Sequence, residues 1–280
     1  MVEAIFYNRS FEPSDGAAIC AQRRRAGLLF GRSHRKQLKH NTKAVTRILA
    51  VETSGDYASA ALLADGEVVC NIFKEKNRHT ESLISLADEV LCGKNLKVAD
   101  MDAVAFGAGP GAFTGLRVAC GVAQGLAWAI GKPTVQVGNL AAAAYALFES
   151  HPEVKRVCVV NDARMHECYT ASFERDPEGG MPDEVRAPEL VKPEDVVQIL
   201  RQDNVQAVIG TALAAYAEEI LVPEGVVAIE TEQVSAGQIV ELAAVMMKAG
   251  LVTDPHLAAP LYVRNRVALT IEQRRAGEKL

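Results

Sequence analysis

The segment with the clearest chemical potential is FGAGPGAFTGLR, which runs from Phe106 to Arg117 and contains four glycines. It lies between a short apolar run and a long helical pattern, so its backbone N–H groups would lie near a helix N-terminus, where anions bind. The Lys-Ser/Thr pair of a Walker loop does not follow the last glycine. Two interpretations stay open: a cradle for phosphate, and a tight crossing of a strand and a helix.

Polar side chains at the end of an earlier strand could complete a phosphate site. The stretch VETSGDYAS places a carboxylate and two hydroxyls there, which suits phosphate or Mg²⁺ and equally suits a polar hairpin turn. Thr114 is also placed to cap the helix that follows the loop. We predict at most weak phosphate contacts from five residues: Thr53, Ser54, Gly109, Gly111 and Thr114.

The usual catalytic patterns are absent from the sequence. The six histidines show no HxH or HxxxH spacing, GxSxG does not occur, and no cysteine has an adjacent base. We therefore predict no catalytic residue, no metal ligand and no required cofactor. In the second half Asn161, Asp162 and Arg164 hold the place that matches VETSGD, and we expect them to pin a turn rather than to reach across a cleft.

These groups must be positioned by a regular series of elements that begins near Thr46. Alternating apolar residues and turn signals predict strands at 47–53, 57–63, 67–74, 102–107 and 134–138, with helices after Thr80, over about 115–130 and near 140–149. The second half repeats this order. Its predicted strands are 156–162, 166–174, 184–191 and two short ones, and its predicted helices lie near 193–201, 212–221 and 236–249.

This repeated order, at an offset of about a hundred residues, predicts a duplicated domain pair facing a cleft. Meandering strands followed by alternating helices and strands resemble the actin, sugar kinase and Hsp70 superfamily. We therefore expect an α/β protein with duplicated actin-like (ASKHA, ribonuclease H-like) domains, each with a mixed sheet flanked by helices. The predicted parts are a basic, disordered extension 1–45, domains 46–150 and 151–250, and a C-terminal segment 251–280 that contains PLYVRNRVA.

The net charge of −5 is unevenly distributed. Residues 1–47 carry ten Lys and Arg against three acidic residues, a net +7 that leaves −12 for the remainder. The body therefore lacks the basic surplus that direct binding of nucleic acid requires. Six scattered cysteines without a CxxC pair, no long apolar run and no signal-peptide core predict a cytoplasmic protein that does not enter a membrane.

Five stretches in consistent order carry a more specific resemblance. They are ILAVETSGDYASAALLADGEVV, HTESLISLADEVL, the glycine loop with its helix, NDARMHECYTASF and APLYVRNRVA. Together they resemble the TsaB (YeaZ) family, the bacterial partners of TsaD. The resemblance runs from about Thr46 to Ala268 and does not include the extension.

The resemblance implies a role in forming threonylcarbamoyladenosine beside the anticodon of tRNAs that read codons beginning with A. In that pathway a synthase makes threonylcarbamoyl-AMP, TsaD transfers the group, TsaE supplies an ATPase activity, and TsaB is a non-catalytic activating subunit. TsaD-like proteins carry a metal-binding HxxxH at positions that correspond here to Asn139 and Ala143, which cannot replace imidazole ligands. The expected partners are a TsaD-like transferase, a TsaE-like ATPase and, through the complex, tRNA, with at most weak contact to ATP or ADP.

The resemblance also implies pairing through helices 79–92 and 114–130, with TsaD or with a second copy. The first helix has an apolar stripe wider than one covered strand needs, and the second is rich in small residues. The alternative is that both helices are fully buried. The predicted interface residues are Leu83, Ile84, Leu86, Val90, Leu116 and Val122.

Two other functions remain as alternatives. One is an enzyme, either a glycoprotease-like hydrolase or a small-molecule kinase of the actin superfamily. The other is an RNA-binding module that uses the basic N-terminal tail.

Overall fold

The computed structural model describes residues 2–5, 46–74, 79–231 and 233–264. The strands of its first sheet are β1 (Val2–Ile5), β2 (Ile48–Glu52), β3 (Ala58–Ala64), β4 (Glu67–Phe73), β5 (Ala103–Gly109) and β6 (Thr134–Gly138). They lie in the order β1-β4-β3-β2-β5-β6, and only the β2–β5 and β5–β6 pairs are parallel. The helices of this half are α1 (His79–Cys92), α2 (Phe113–Ala129) and α3 (Asn139–Ser150).

The second sheet repeats this pattern without an equivalent of β1. Its strands are β7 (Arg156–Asp162), β8 (Cys168–Glu174), β9 (Asp183–Val191), β10 (Ala207–Ile209) and β11 (Val227–Ile229), in the order β11-β10-β7-β8-β9. The helices are α4 (Val196–Gln202), α5 (Ala212–Ala215) and α6 (Ala236–Lys248). An antiparallel meander followed by parallel strands in both halves confirms the predicted actin-like fold class.

Helices cover both faces of the first sheet, which explains why β2 and β3 are buried along their whole length. Helices α1 and α2 pack on one face, and α6 and part of α3 pack on the other. The opposite side of α3 packs against the second sheet, whose outer face is covered by α4 and α5. The sequence assigned α6 to the second domain, but its apolar side belongs to the core of the first.

Some local predictions need correction. The helix α1 begins at His79, so Thr80 lies inside it, and α2 is preceded by Ala112, so Thr114 lies in the first turn without capping it. The helix predicted at 212–221 ends at Ala215, because Tyr216 leaves the helical region with φ −131°.

The N-terminal extension contributes one described element. The strand β1 pairs antiparallel with β4 at the edge of the first sheet, with Val2 opposite Phe73. The prediction of a disordered extension did not include this strand, and residues 6–45 lie outside the described part of the chain.

Candidate functional site

The glycine loop between β5 and α2 packs directly on the strand-end segment that follows β2. A Cβ atom added to Gly107 would lie 1.4 Å from Glu52 Oε2, and one added to Gly115 would lie 1.9 Å from the carbonyl oxygen of Thr53. A Cβ on Gly111 would lie 2.6 Å from Cβ of Ser54. The glycines are therefore required for a close crossing, which favours the packing interpretation of the loop.

Hydrogen bonds join the same two segments. The hydroxyl of Thr53 donates to the carbonyl of Gly115 at 2.7 Å, and the N–H of Ala112 donates to the carbonyl of Ser54 at 2.8 Å. The fold thus brings the predicted phosphate-contacting residues together, but two of the polar groups that would face a phosphate already have partners inside the chain. Thr114 is exposed beside them.

Asn139, the first residue of α3, connects this crossing to a buried carboxyl group. Its Oδ1 accepts from the N–H of Gly109 at 2.9 Å, and its Nδ2 donates to Oγ of Ser54 at 2.7 Å. The hydroxyl of Ser54 in turn donates to Oε1 of Glu52. Asn139 therefore has a structural role, which the sequence did not predict.

Glu52 is buried, and its Oε2 has no hydrogen-bond partner among the described residues. Burial raises the pKa of this carboxyl above its usual range, although the hydrogen bonds from Ser54 and Asn139 act in the opposite direction. A raised pKa shifts the equilibrium of this carboxyl toward the neutral acid, which costs less free energy to bury in the apolar core than the charged form. The loop amides of Gly109 and Ala112 donate to acceptors within the chain, so these two N–H groups are not directed at a phosphate.

Arg164 links the hairpin turns of the two domains. Its guanidinium lies 2.9 Å from Asp162 in its own turn and 3.0 Å from Asp56 in the first domain. The expected pinning of the turn is present, and the contact across the cleft, which we did not favour, is present as well. Arg164 and Asp56 are both largely exposed, so this pair adds little to stability.

The two most specific sequence motifs contact each other. The rings of Phe113, in the glycine-loop motif, and Tyr262, in the C-terminal motif, have centroids 5.4 Å apart. Arg117 donates to the hydroxyl of Tyr262 at 2.9 Å and lies over the ring of Phe113 at 3.7 Å. The C-terminal segment continues to the second domain, where Arg264 forms an ion pair with Glu167 at 2.7 Å.

Most of the predicted interface residues are not available to a partner. Leu83, Leu86, Val90 and Leu116 are buried, since their stripes on α1 and α2 face the first sheet. Four of the six predicted interface side chains therefore lie in the interior of this structure, and their contact with another subunit stays a prediction. Two other members of the set remain reachable: Ile84 is 63% exposed and Val122 is half-buried.

The outward side of α2 presents a different set of residues, which the sequence analysis missed. Gly121 and Gly125 are exposed, and within the described part of the chain an added Cβ on either would meet nothing within 4 Å. Trp128, one turn further on and the single tryptophan of the chain, is 66% exposed. We call Gly121, Gly125 and Trp128 the outer α2 face; the i, i+4, i+7 spacing of the three residues is the signal that could have revealed it.

None of the helices in the described residues is both long and apolar enough to cross a membrane.

Comparisons with known proteins agree with this architecture. A family model described as "TsaD: tRNA N6-adenosine threonylcarbamoyltransferase" matches residues 68–268. The "tRNA threonylcarbamoyladenosine biosynthesis protein TsaB" of Haemophilus influenzae is 33% identical over 235 residues, which are 79% of this chain and 94% of that protein. A "tRNA N6-adenosine threonylcarbamoyltransferase" of Chlorobaculum tepidum is 36% identical over 118 residues, which are 37% of this chain and 33% of the transferase.

Among solved structures, YeaZ from Pseudomonas aeruginosa matches with a TM-score of 0.68 and 28% identity, over 78% of this chain and 99% of that one. Fold and loop together define a duplicated actin-like α/β protein whose glycine loop is packed against its own strand end. Within that class, the chain belongs to the TsaB (YeaZ) family, because it spans nearly the whole of a TsaB relative but only a third of the transferase.

Proposed function

We propose that this protein is a non-catalytic activating subunit in the biosynthesis of threonylcarbamoyladenosine in tRNA. It pairs with a TsaD-like transferase through the outer side of α1 and α2. A TsaE-like ATPase and tRNA join the resulting complex. The family relationship supports the pathway, and the outer α2 face is the observation that carries the pairing.

The absence of a catalytic role is supported by the groups at the glycine loop. The hydroxyls of Thr53 and Ser54 and both ends of the Asn139 amide form hydrogen bonds within the chain. At the position where the resemblance implies a metal-binding imidazole, Asn139 therefore has no free atom directed at a ligand. Ala143, at the second such position, packs against the cores on both sides of α3, and its side chain has no atom that could bind a metal.

The pairing is supported by the loss of helix stability that the two glycines of the outer α2 face cause. Glycine within a helix is less favourable than alanine by about 1 kcal/mol. Gly115 has an internal reason for this cost, because it contacts Thr53, whereas no described residue outside α2 approaches the position of a side chain at Gly121 or Gly125. A second helix packed closely on α2 would occupy the space of the missing side chains, and Trp128, one turn beyond Gly125, supplies exposed apolar area for it.

The helices α1 and α2 contact each other, and the proposed partner covers the exposed side of both, with Ile84 as its contact on α1. The same surface can pair with a second copy of the chain when the transferase is absent, so homodimer and heterodimer would compete. No cofactor is required for either pairing. Contact with ATP or ADP in the complex is at most weak.

The test is reconstituted transfer of threonylcarbamoyl to unmodified tRNA by the synthase, the TsaD-like transferase and the TsaE-like ATPase of the same organism. We expect product only when this protein is added, and none when the transferase is omitted. Ile84→Asp should abolish stimulation. Leu221→Asp places the same charge at an equally exposed leucine of the second half, 65% against 63%, and should leave stimulation intact.

Two results would overturn the proposal. Transfer that is indifferent to this protein removes the activating role. Equal loss of stimulation from the Ile84 and Leu221 variants removes the assigned surface, because an apolar residue outside α1 and α2 would then matter as much.

A further inference from the structure

Three side chains from separate segments of the second half converge at its surface. They are His166 in the β7–β8 turn, Glu194 in the short 3-10 turn before α4, and Glu219 in the segment after α5. One ligand atom from each lies within 4.8 Å of the other two, and Nε2 of His166 is 3.0 Å from Oε2 of Glu219. Their spacing in sequence gives no metal-binding pattern, which is why the sequence predicted no metal ligand.

We propose that His166, Glu194 and Glu219 bind one first-row divalent cation, with Zn²⁺ as the best match. This site is independent of the proposed role in tRNA modification and uses no residue of the glycine loop.

The donor set decides the class of ion. Zn²⁺ is bound by imidazole nitrogen and carboxylate oxygen, whereas Ca²⁺ and Mg²⁺ favour all-oxygen ligand sets with six or more positions. In a tetrahedral zinc site with ligands at about 2.1 Å, neighbouring ligand atoms are about 3.4 Å apart. Rotation of the glutamate side chains would close the observed spacing, and water would fill the fourth position.

The imidazole is already held in place. The residues Arg164, Met165 and His166 have φ of 61°, 57° and 58°, so the turn carries His166 outward in a left-handed run. The ring of Tyr216 meets the imidazole edge-on at 5.5 Å. The side chains of His166 and Glu219 are 57% and 40% exposed, which leaves an open path for the ion.

Two charged residues near the site bear on how strongly it would bind a cation. Lys192 lies 3.9 Å from Oε1 of Glu194 and would compete with a cation for that carboxylate. Glu167, the remaining acidic residue of the turn, is paired with Arg264 and is not a donor to the site. Removal of the Lys192 ammonium should therefore strengthen binding of the ion.

The experiment measures Zn²⁺ binding to the full chain by titration calorimetry and equilibrium dialysis. Cys92, an exposed thiol, and Cys20 are replaced by serine in every variant so that they do not bind the metal. We expect one Zn²⁺ per chain at this site. His166→Ala and Glu219→Gln should each weaken that binding at least about tenfold, since even outer partners of a metal ligand contribute 10- to 100-fold.

Matched variants separate this site from general surface charge. Glu218→Gln removes a carboxylate from the same segment and should leave the affinity unchanged, whereas Lys192→Ala should increase it. Circular dichroism will show that these exposed substitutions retain the fold. A change of less than tenfold in both ligand variants, or an equal change in the Glu218 control, would show an ion pair between His166 and Glu219 and no metal site.

Discussion

Replacement of the two outer glycines of α2 should stabilise the protein and weaken its association. Gly121→Ala and Gly125→Ala each add a methyl group to an exposed helical position where no described atom outside the helix backbone lies within 4 Å. Since alanine is favoured over glycine in a helix by about 1 kcal/mol, the double variant should gain about 2 kcal/mol in the free energy of unfolding. Urea unfolding followed by circular dichroism measures this gain.

The same two methyl groups should disturb a closely packed partner helix. Overpacking costs about 1–3 kcal/mol, so the dissociation constant for the TsaD-like transferase should rise about fivefold or more. Calorimetric titration of the transferase with the double variant measures this change. A matched control is Gly179→Ala, which also points into open space but has φ +73°, so it should lose stability and leave the association unchanged.

A gain in stability together with an unchanged dissociation constant would refute the reasoning, because the glycines would then have no function outside the chain. An unchanged free energy of unfolding would instead refute the premise that these two glycines lower the stability of the helix.

Three further predictions concern the loop and the cleft. The free energy of unfolding of the parent should fall as pH rises above 4.5 toward the raised pKa of the folded Glu52 carboxyl, because the unfolded chain releases a proton that the folded chain keeps. Glu52→Gln has no such proton and should not show this fall; urea unfolding between pH 5 and 8 measures the difference. Gly107→Ala should lower the free energy of unfolding by about 3 kcal/mol, because its methyl group would overlap the buried Glu52 carboxyl; a midpoint in urea equal to that of the parent would contradict the crossing geometry. Arg164→Ala should cost less than about 1 kcal/mol, with a smaller effect in high salt, because its partner Asp56 is 60% exposed; a larger loss would indicate that the contact across the cleft holds the domains together.

All strands except β1, and their order along the chain, could be predicted from sequence because their signals are local. Alternating apolar residues and the Asp65-Gly66 turn predict the hairpin of β3 and β4, and Asp65 and Gly66 indeed have φ of 53° and 80°. The helix α6 was assigned to the wrong core, since a stripe such as Ile239, Leu242 and Ala243 shows that one side is buried but not against which sheet. Only the three-dimensional order of the strands decides that.

The candidate sites were harder to predict for two physical reasons. An apolar stripe looks the same whether a sheet or another subunit covers it, and for Leu83 and Leu86 the sheet does. Residues that converge from distant segments, such as His166 and Glu219, leave no spacing to detect. The closeness of Glu52 to Gly107 was likewise invisible, although glycine at a strand end is the signal for such an approach.

The glycines on the two sides of α2 differ in whether the fold requires them. On its inner side Gly115 is required, because the carbonyl of Thr53 occupies the place of a side chain. On its outer side Gly121 and Gly125 reduce the stability of the helix, and none of the described residues fills the space beside them. Packing within the chain explains the first glycine but not the other two. The contact of the glycine loop with the end of β2 therefore fixes the position of α2, and the outer α2 face is the surface on which a partner helix would pack.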